Sequence, residues 1–162
     1  MRLSIEISAP CPLWRALPRA RSLAREAVKA CLLESGFDPP PGAELSLCLT
    51  DDAEVRKLNA RWRGHDETTN VLSFPAASTE PTAGAPILGD IALAYETLFR
   101  EAQESGVLLA DHYRHLVAHG FLHLIGYDHQ TDEEAEQMED LETRILARLG
   151  VADPYTDRAV ER

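Results

Sequence analysis

Residues 109–129 read LADHYRHLVAHGFLHLIGYDH. On a helical wheel with His115 at zero, His119 falls at about 40°, His112 at about 60° and His123 at about 80°. Four of the six histidines in the chain therefore share one narrow stripe. The rest of the wheel is Leu109, Tyr113, Leu116, Val117, Phe121, Leu122 and Leu124. A helix that is apolar on nearly every other side is buried, so this one is expected to be a central helix over Leu109–Ile125. Its polar stripe must then face something specific, because unpaired buried polar groups are costly.

Histidines at i and i+4 stand one turn apart on one face. The rings of His119 and His123 can therefore meet a single ion. Gly126 can take a left-handed conformation, end the helix and turn the chain back, which brings His129 to the same ion. Three neutral imidazoles with one open position is the ligand count of a catalytic zinc. His115, one turn before His119, is an alternative third ligand, or else a hydrogen-bonded neighbour. Asp128 is a candidate for orienting a ligand ring, or for forming the turn. The spacing is also that of the metzincin proteases, H-E-x-x-H-x-x-G-x-x-H. Here Gly120 stands where those enzymes carry a glutamate base. On the wheel Gly120 faces away from the histidines, where a missing side chain lets another element come close.

Outward from this helix, strands and helices alternate by their hydrophobic periods. LSIEI at residues 3–7 and ELSLCLT at Glu44–Thr50 have the period of two of strands. Pro12–Ser35 carries a helical stripe closed by Gly36 and Pro39-Pro40-Pro41. Asp51 with Glu54, and Thr131 with Glu134, are capping boxes that open helices. The first runs to about Arg61 and the second to Leu149, where Gly150 is placed to end it. Val71–Pro75 and Leu88–Tyr95 are short strands, 76–86 is a loop, and Glu96–Ser105 is a short helix before Gly106. The order is β-α-β-α-β-β-α-α-α, without internal repeats. This predicts an α+β domain over residues 1–162: a small mixed four-stranded sheet packed with helices, around a buried histidine-bearing helix with a metzincin-like zinc site.

The bulk properties narrow the partners. Net charge is −11, with 16 Lys+Arg against 27 Asp+Glu. The excess is confined to residues 71–162, whereas the first seventy residues are neutral. Proteins that grip nucleic acid by bulk electrostatics are normally basic, so a polyanion must be met by a local patch in the neutral half. Three cysteines, Cys11, Cys31 and Cys48, form neither a disulfide framework nor a metal-ligand spacing. They are expected to be reduced, with Cys31 and Cys48 in the core, as in a cytoplasmic protein. The alternating N-terminus reads as a strand rather than a signal peptide, and no apolar run is long enough to cross a bilayer.

The local basic patch is Leu58–Pro75, LNARWRGHDETTNVLSFP. Arg61 and Arg63 flank Trp62, and Gly64 ends the helix behind them. An arginine fork suits phosphate oxygens, and an aromatic beside it can stack on a base. The simpler reading is an exposed helix end with a core-packed tryptophan. The acidic run Asp132–Glu142 is most simply a solvated helix face.

Together HGFLHLIGYDH (119–129), LNARWRGHDETTNVLSFP and the LGDIAL strand (88–93) resemble the YbeY family of bacterial ribosomal RNA maturation endonucleases. The resemblance continues through Thr131–Leu149 to Asp153-Pro154-Tyr155, and upstream of about residue 44 it holds only in layout. It implies one Zn2+ held by His119, His123 and His129, with Arg63 taking part in catalysis. It also implies single-strand-specific cleavage of RNA, maturation of the 3′ end of the small-subunit ribosomal RNA, and ribosome quality control. Ribosomes or ribosome-associated proteins are the implied partners, in the cytoplasm and without a membrane. The sequence departs from the family at His65, where lysine is common, at Thr68, where proline is common, and at Trp62, where tyrosine is common. Loss of that lysine weakens the phosphate patch and leaves the metal site untouched. The absent glutamate counts more against a protease, which needs a base to activate water, than against a nuclease, which draws on charge stabilisation. His115 and Asp90 are the candidate bases. A peptidase-like metallohydrolase and a non-catalytic ribosome-assembly factor with structural zinc are the alternative readings.

Overall fold

The computed structural model describes residues 3–75 and 86–155. All but Pro86 of the expected loop 76–86 lies outside the described residues. Four strands, β1 (Ser4–Ser8), β2 (Glu44–Thr50), β3 (Val71–Pro75) and β4 (Ile87–Ala94), form one sheet in the order β1-β2-β4-β3. The pairs β1·β2 and β2·β4 are parallel, whereas β3 runs antiparallel to β4. Among the described residues five α-helices accompany them: α1 (Ala20–Ser35), α2 (Asp52–Arg63), α3 (Tyr95–Ser105), α4 (Leu109–Leu124) and α5 (Asp132–Arg148). The element order and the mixed four-stranded sheet are those expected from the sequence.

The period of two divides the sheet into two faces. Leu45, Leu47 and Leu49 of β2, with Ile91 and Leu93 of β4, enter the main core beneath α1, α4 and α5. Ala92, Ala94 and Leu72 face the other way and pack with Val55 of α2. Helix α4 lies at the centre, in contact with α1, α3, α5, β3 and β4. Its Tyr113, Val117, Phe121 and Leu122 are fully buried. The burial expected of the histidine helix is therefore observed.

The predicted helix over Pro12–Ser35 is in fact two pieces. A 3-10 turn covers Pro12–Ala16, and α1 begins at Ala20. Pro18 is the reason: it disfavours helical backbone at the residue before it, and Leu17 sits at φ −125°, ψ 76°. The break lets Trp14 turn inward. Its Nε1 donates to the Thr50 carbonyl at 2.8 Å, and its ring meets Tyr95 and Tyr113 edge-on or tilted. Cys31 is buried as expected, but Cys48 is only half-buried, because it points to the less covered sheet face. Both expected N-caps form: Asp51 accepts from the Glu54 N–H at 2.9 Å, and Thr131 from the Glu134 N–H at 3.1 Å. Helix α2 runs two residues beyond Arg61, to Arg63, and ends on Gly64 at φ 71°.

Candidate metal centre

The last two turns of α4 present His119 and His123 on one face. Beyond them the chain closes a Schellman motif: the Gly126 N–H bonds to the His123 carbonyl at 3.2 Å, and the Tyr127 N–H to the Leu122 carbonyl at 3.0 Å. Gly126 sits at φ 106°, a conformation that side chains resist. This reversal carries His129 back over the helix end. One ring nitrogen from each of His119, His123 and His129 then lies within 4.8 Å of the others.

The rings are held from behind. His123 Nδ1 lies 3.0 Å from the Tyr127 carbonyl. A carbonyl only accepts, so Nδ1 carries the proton and Nε2 presents its lone pair. His119 Nδ1 is bonded to a Glu142 carboxylate oxygen, which fixes the same tautomer. The two Nε2 atoms stand 3.1 Å apart. Two ligands of a tetrahedral ion with bonds of 2.0–2.1 Å would stand about 3.3 Å apart, so the donor set fits such an ion. Burial, then the neighbouring His119 and His129, lowers the His123 pKa. A lowered pKa favours the neutral imidazole that a metal requires. These three histidines can hold a metal ion.

The remaining expected residues distribute around this centre. Arg63, at the end of α2, lines the same cavity of about 600 Å3 as the three histidines, together with Asn70, Ser73 and Asp128. Its Nη2 donates to the Ser73 carbonyl, and its guanidinium lies 5.5 Å from the Phe74 ring centre. His115 faces away from the cluster: its Nε2 is 3.3 Å from the Tyr155 hydroxyl and 3.5 Å from Glu142 Oε2. Asp128 Oδ1 accepts from the adjacent His129 backbone N–H at 2.8 Å. Asp90 lines a different groove, on the opposite sheet face, with Trp62 and Phe74. Trp62 is 62% exposed rather than core-packed, with Arg61 5.0 Å from its ring centre.

Gly120 is packed as its wheel position implied. A Cβ there would meet Ser73 Oγ at 3.0 Å and side-chain carbons of Val71 and Ile91 at 3.2 Å. Strands β3 and β4 thus pack closely against the helix at this point.

Glu142 corrects the reading of residues 132–142 as a solvated face, because it is fully buried. Burial opposes its charge, but hydrogen bonds from His115 and His119 outweigh that and hold its pKa down at about 2. A sequence signal existed. Glu142 follows Met138 by four residues and precedes Ile145 by three, so it falls on the apolar stripe of α5.

The family described as Endoribonuclease YbeY matches residues 15–150. The chain belongs to the YbeY endoribonuclease family. An Endoribonuclease YbeY of Methylocella silvestris is 47% identical over 157 residues, covering 97% of this chain and 88% of that protein. Another, of Paramagnetospirillum magneticum, is 50% identical over 166 residues, covering 98% and 100%. A solution structure from Thermotoga maritima has the same fold, with a TM-score of 0.54 at 22% identity over 93% of this chain and 97% of that one. The YbeY match thus reaches well upstream of residue 44, where the sequence motifs are weakest. No helix among the described residues is long and apolar enough to cross a membrane.

Proposed function

We propose that this YbeY chain is a zinc-dependent endoribonuclease specific for single strands. It acts in the cytoplasm on the small-subunit ribosomal RNA, in 3′-end maturation and ribosome quality control. The observation that carries this reading is the opening of three convergent histidines onto the cavity that Arg63 also lines. Family membership supplies the substrate class.

His119, His123 and His129 would hold the zinc, which would supply a Lewis acid suited to binding a phosphoryl oxygen, lowering the pKa of water, or both. Arg63 binds and orients the phosphodiester. Its anchor on Ser73 and its place against Phe74 fix the plane of the guanidinium. A guanidinium has five N–H donors, so donors remain for phosphoryl oxygens, whose growing charge they neutralise in the transition state. Exposed Trp62, with Arg61 against it, offers a stacking face to an unpaired base. With a net charge of −11, the chain draws part of its affinity from the ribosome or a ribosome-associated protein.

The peptidase reading loses support at Gly120, where even a Cβ would crowd Ser73, Val71 and Ile91. The test is cleavage of single-stranded RNA by purified protein with zinc and with chelator, followed by analysis of product ends. Cleavage that chelator abolishes is expected. A terminal 2′,3′-cyclic phosphate means attack by the ribose hydroxyl, and its absence means attack by water. Intact RNA with the zinc-loaded protein, but processing in crude extract, would favour the assembly-factor reading.

A further inference from the structure

We infer that Glu142 is the positioning residue of the metal centre, setting the tautomer and donor strength of His119, with Tyr155 fixing the carboxylate. The inference rests on the metal-centre reading above and concerns a residue of α5 outside the histidine motif.

Glu142 lies among Met138, Leu141, Ile145 and Leu146 on the buried face of α5. A carboxylate in such surroundings is costly unless paired, and apolar residues of similar volume are commonly at least as stable there. Packing alone therefore does not account for it. Its hydrogen bonds do. Oε1 accepts from His119 Nδ1, and Oε2 accepts from the Tyr155 hydroxyl. The first bond keeps the His119 proton on Nδ1 and turns Nε2 to the cluster. The negative charge behind the ring also makes that nitrogen a stronger donor. The ring nitrogen of His123 meets a neutral backbone carbonyl instead of a carboxylate, so the two helical histidines are unequal. Tyr155 holds the second oxygen and thereby the plane of the carboxylate. His115, 3.5 Å from that oxygen, completes the group without turning to the cluster.

The test measures zinc affinity by chelator competition on the full chain, for the wild type, Glu142→Gln, Glu142→Leu and Tyr155→Phe. Nitrogen NMR of the metal-free proteins reads the His119 tautomer, and circular dichroism checks folding. Removal of such a partner typically weakens metal affinity about 10- to 100-fold. A loss in that range is expected for Glu142→Leu, together with loss of the Nδ1–H tautomer, and a smaller loss for Glu142→Gln. Tyr155→Phe changes only a half-buried hydroxyl and is expected to weaken zinc in the same direction. Folded Glu142 variants with unchanged affinity and tautomer would overturn the inference. If neither Glu142 variant folds, unchanged affinity in Tyr155→Phe overturns it. A wild type that binds no zinc removes the metal-centre reading itself, and this inference with it.

Discussion

Ser73 Oγ donates to the Gly120 carbonyl at 2.8 Å, tying β3 to the histidine helix at the position where related motifs carry a base. The contact exists because Gly120 has no side chain. Gly120→Glu, which restores the protease pattern, should therefore unfold the junction rather than create a peptidase. Overpacking and a buried carboxylate together cost at least about 3 kcal/mol. Thermal denaturation should show a large fall in Tm, and a peptide substrate should remain intact. A stable, peptide-cleaving variant would refute this account of Gly120.

Gly126 decides where His129 stands. Its φ of 106° is strained for any side chain, although a Cβ there would meet nothing within 4 Å. Gly126→Ala should cost at least about 1 kcal/mol and also lower zinc affinity by displacing His129. His129→Ala should lower bound zinc on metal analysis without changing the α4 packing. Unchanged zinc in His129→Ala would return His115 to the ligand set.

Arg63 touches the cavity but does not belong to the histidine cluster. Arg63→Ala should leave zinc content unchanged and reduce kcat for RNA by about 100- to 1,000-fold, the range for losing one preorganised donor to transition-state charge. Arg63→Lys should recover little, because an ammonium cannot reproduce the planar fork. Single-turnover cleavage rates with metal analysis on the same samples check both.

Trp62 is exposed, so Trp62→Ala should shift stability by no more than about 0.5 kcal/mol. Loss of a stacked base should still raise KM for a single-stranded oligonucleotide by about 5-fold or more, with kcat nearly unchanged. An unaltered KM would leave Trp62 without a part in substrate binding.

Glu142 should shape the acid limb of stability. Its pKa lies near 2 in the fold, against an ordinary value of 4.5. Below pH 4.5 the unfolded chain takes up a proton that the folded chain refuses. The stabilisation is therefore complete above that pH and is lost as pH falls toward 2. In metal-free protein, denaturation followed between pH 5 and 2 should be less steep for Glu142→Gln than for the wild type.

Both helix caps, the strand bounds at Glu44–Thr50 and Val71–Pro75, and the central histidine helix were legible from local pattern. Periodicity, cap residues and turn glycines act within a few positions of the chain, so they can be read along it. The break at Pro18 was equally local, yet the continuous apolar stripe masked it. Trp62 and Trp14 show the limit of such reading: one is exposed and the other buried, and composition alone does not separate them.

The amino-acid sequence by itself determined the histidine pattern. Two histidines one helical turn apart, a glycine able to reverse the chain and a third histidine beyond it are all set within eleven residues. The tertiary structure alone decided what stands behind and opposite them. Glu142 reaches His119 from 23 residues away, Tyr155 holds Glu142 from the far side, and Arg63 enters the cavity from the end of α2. Those neighbours depend on how α2, β3 and α5 pack around α4, and burial against distant elements leaves only a faint trace in local order. In α5 that trace was a single carboxylate on an apolar stripe.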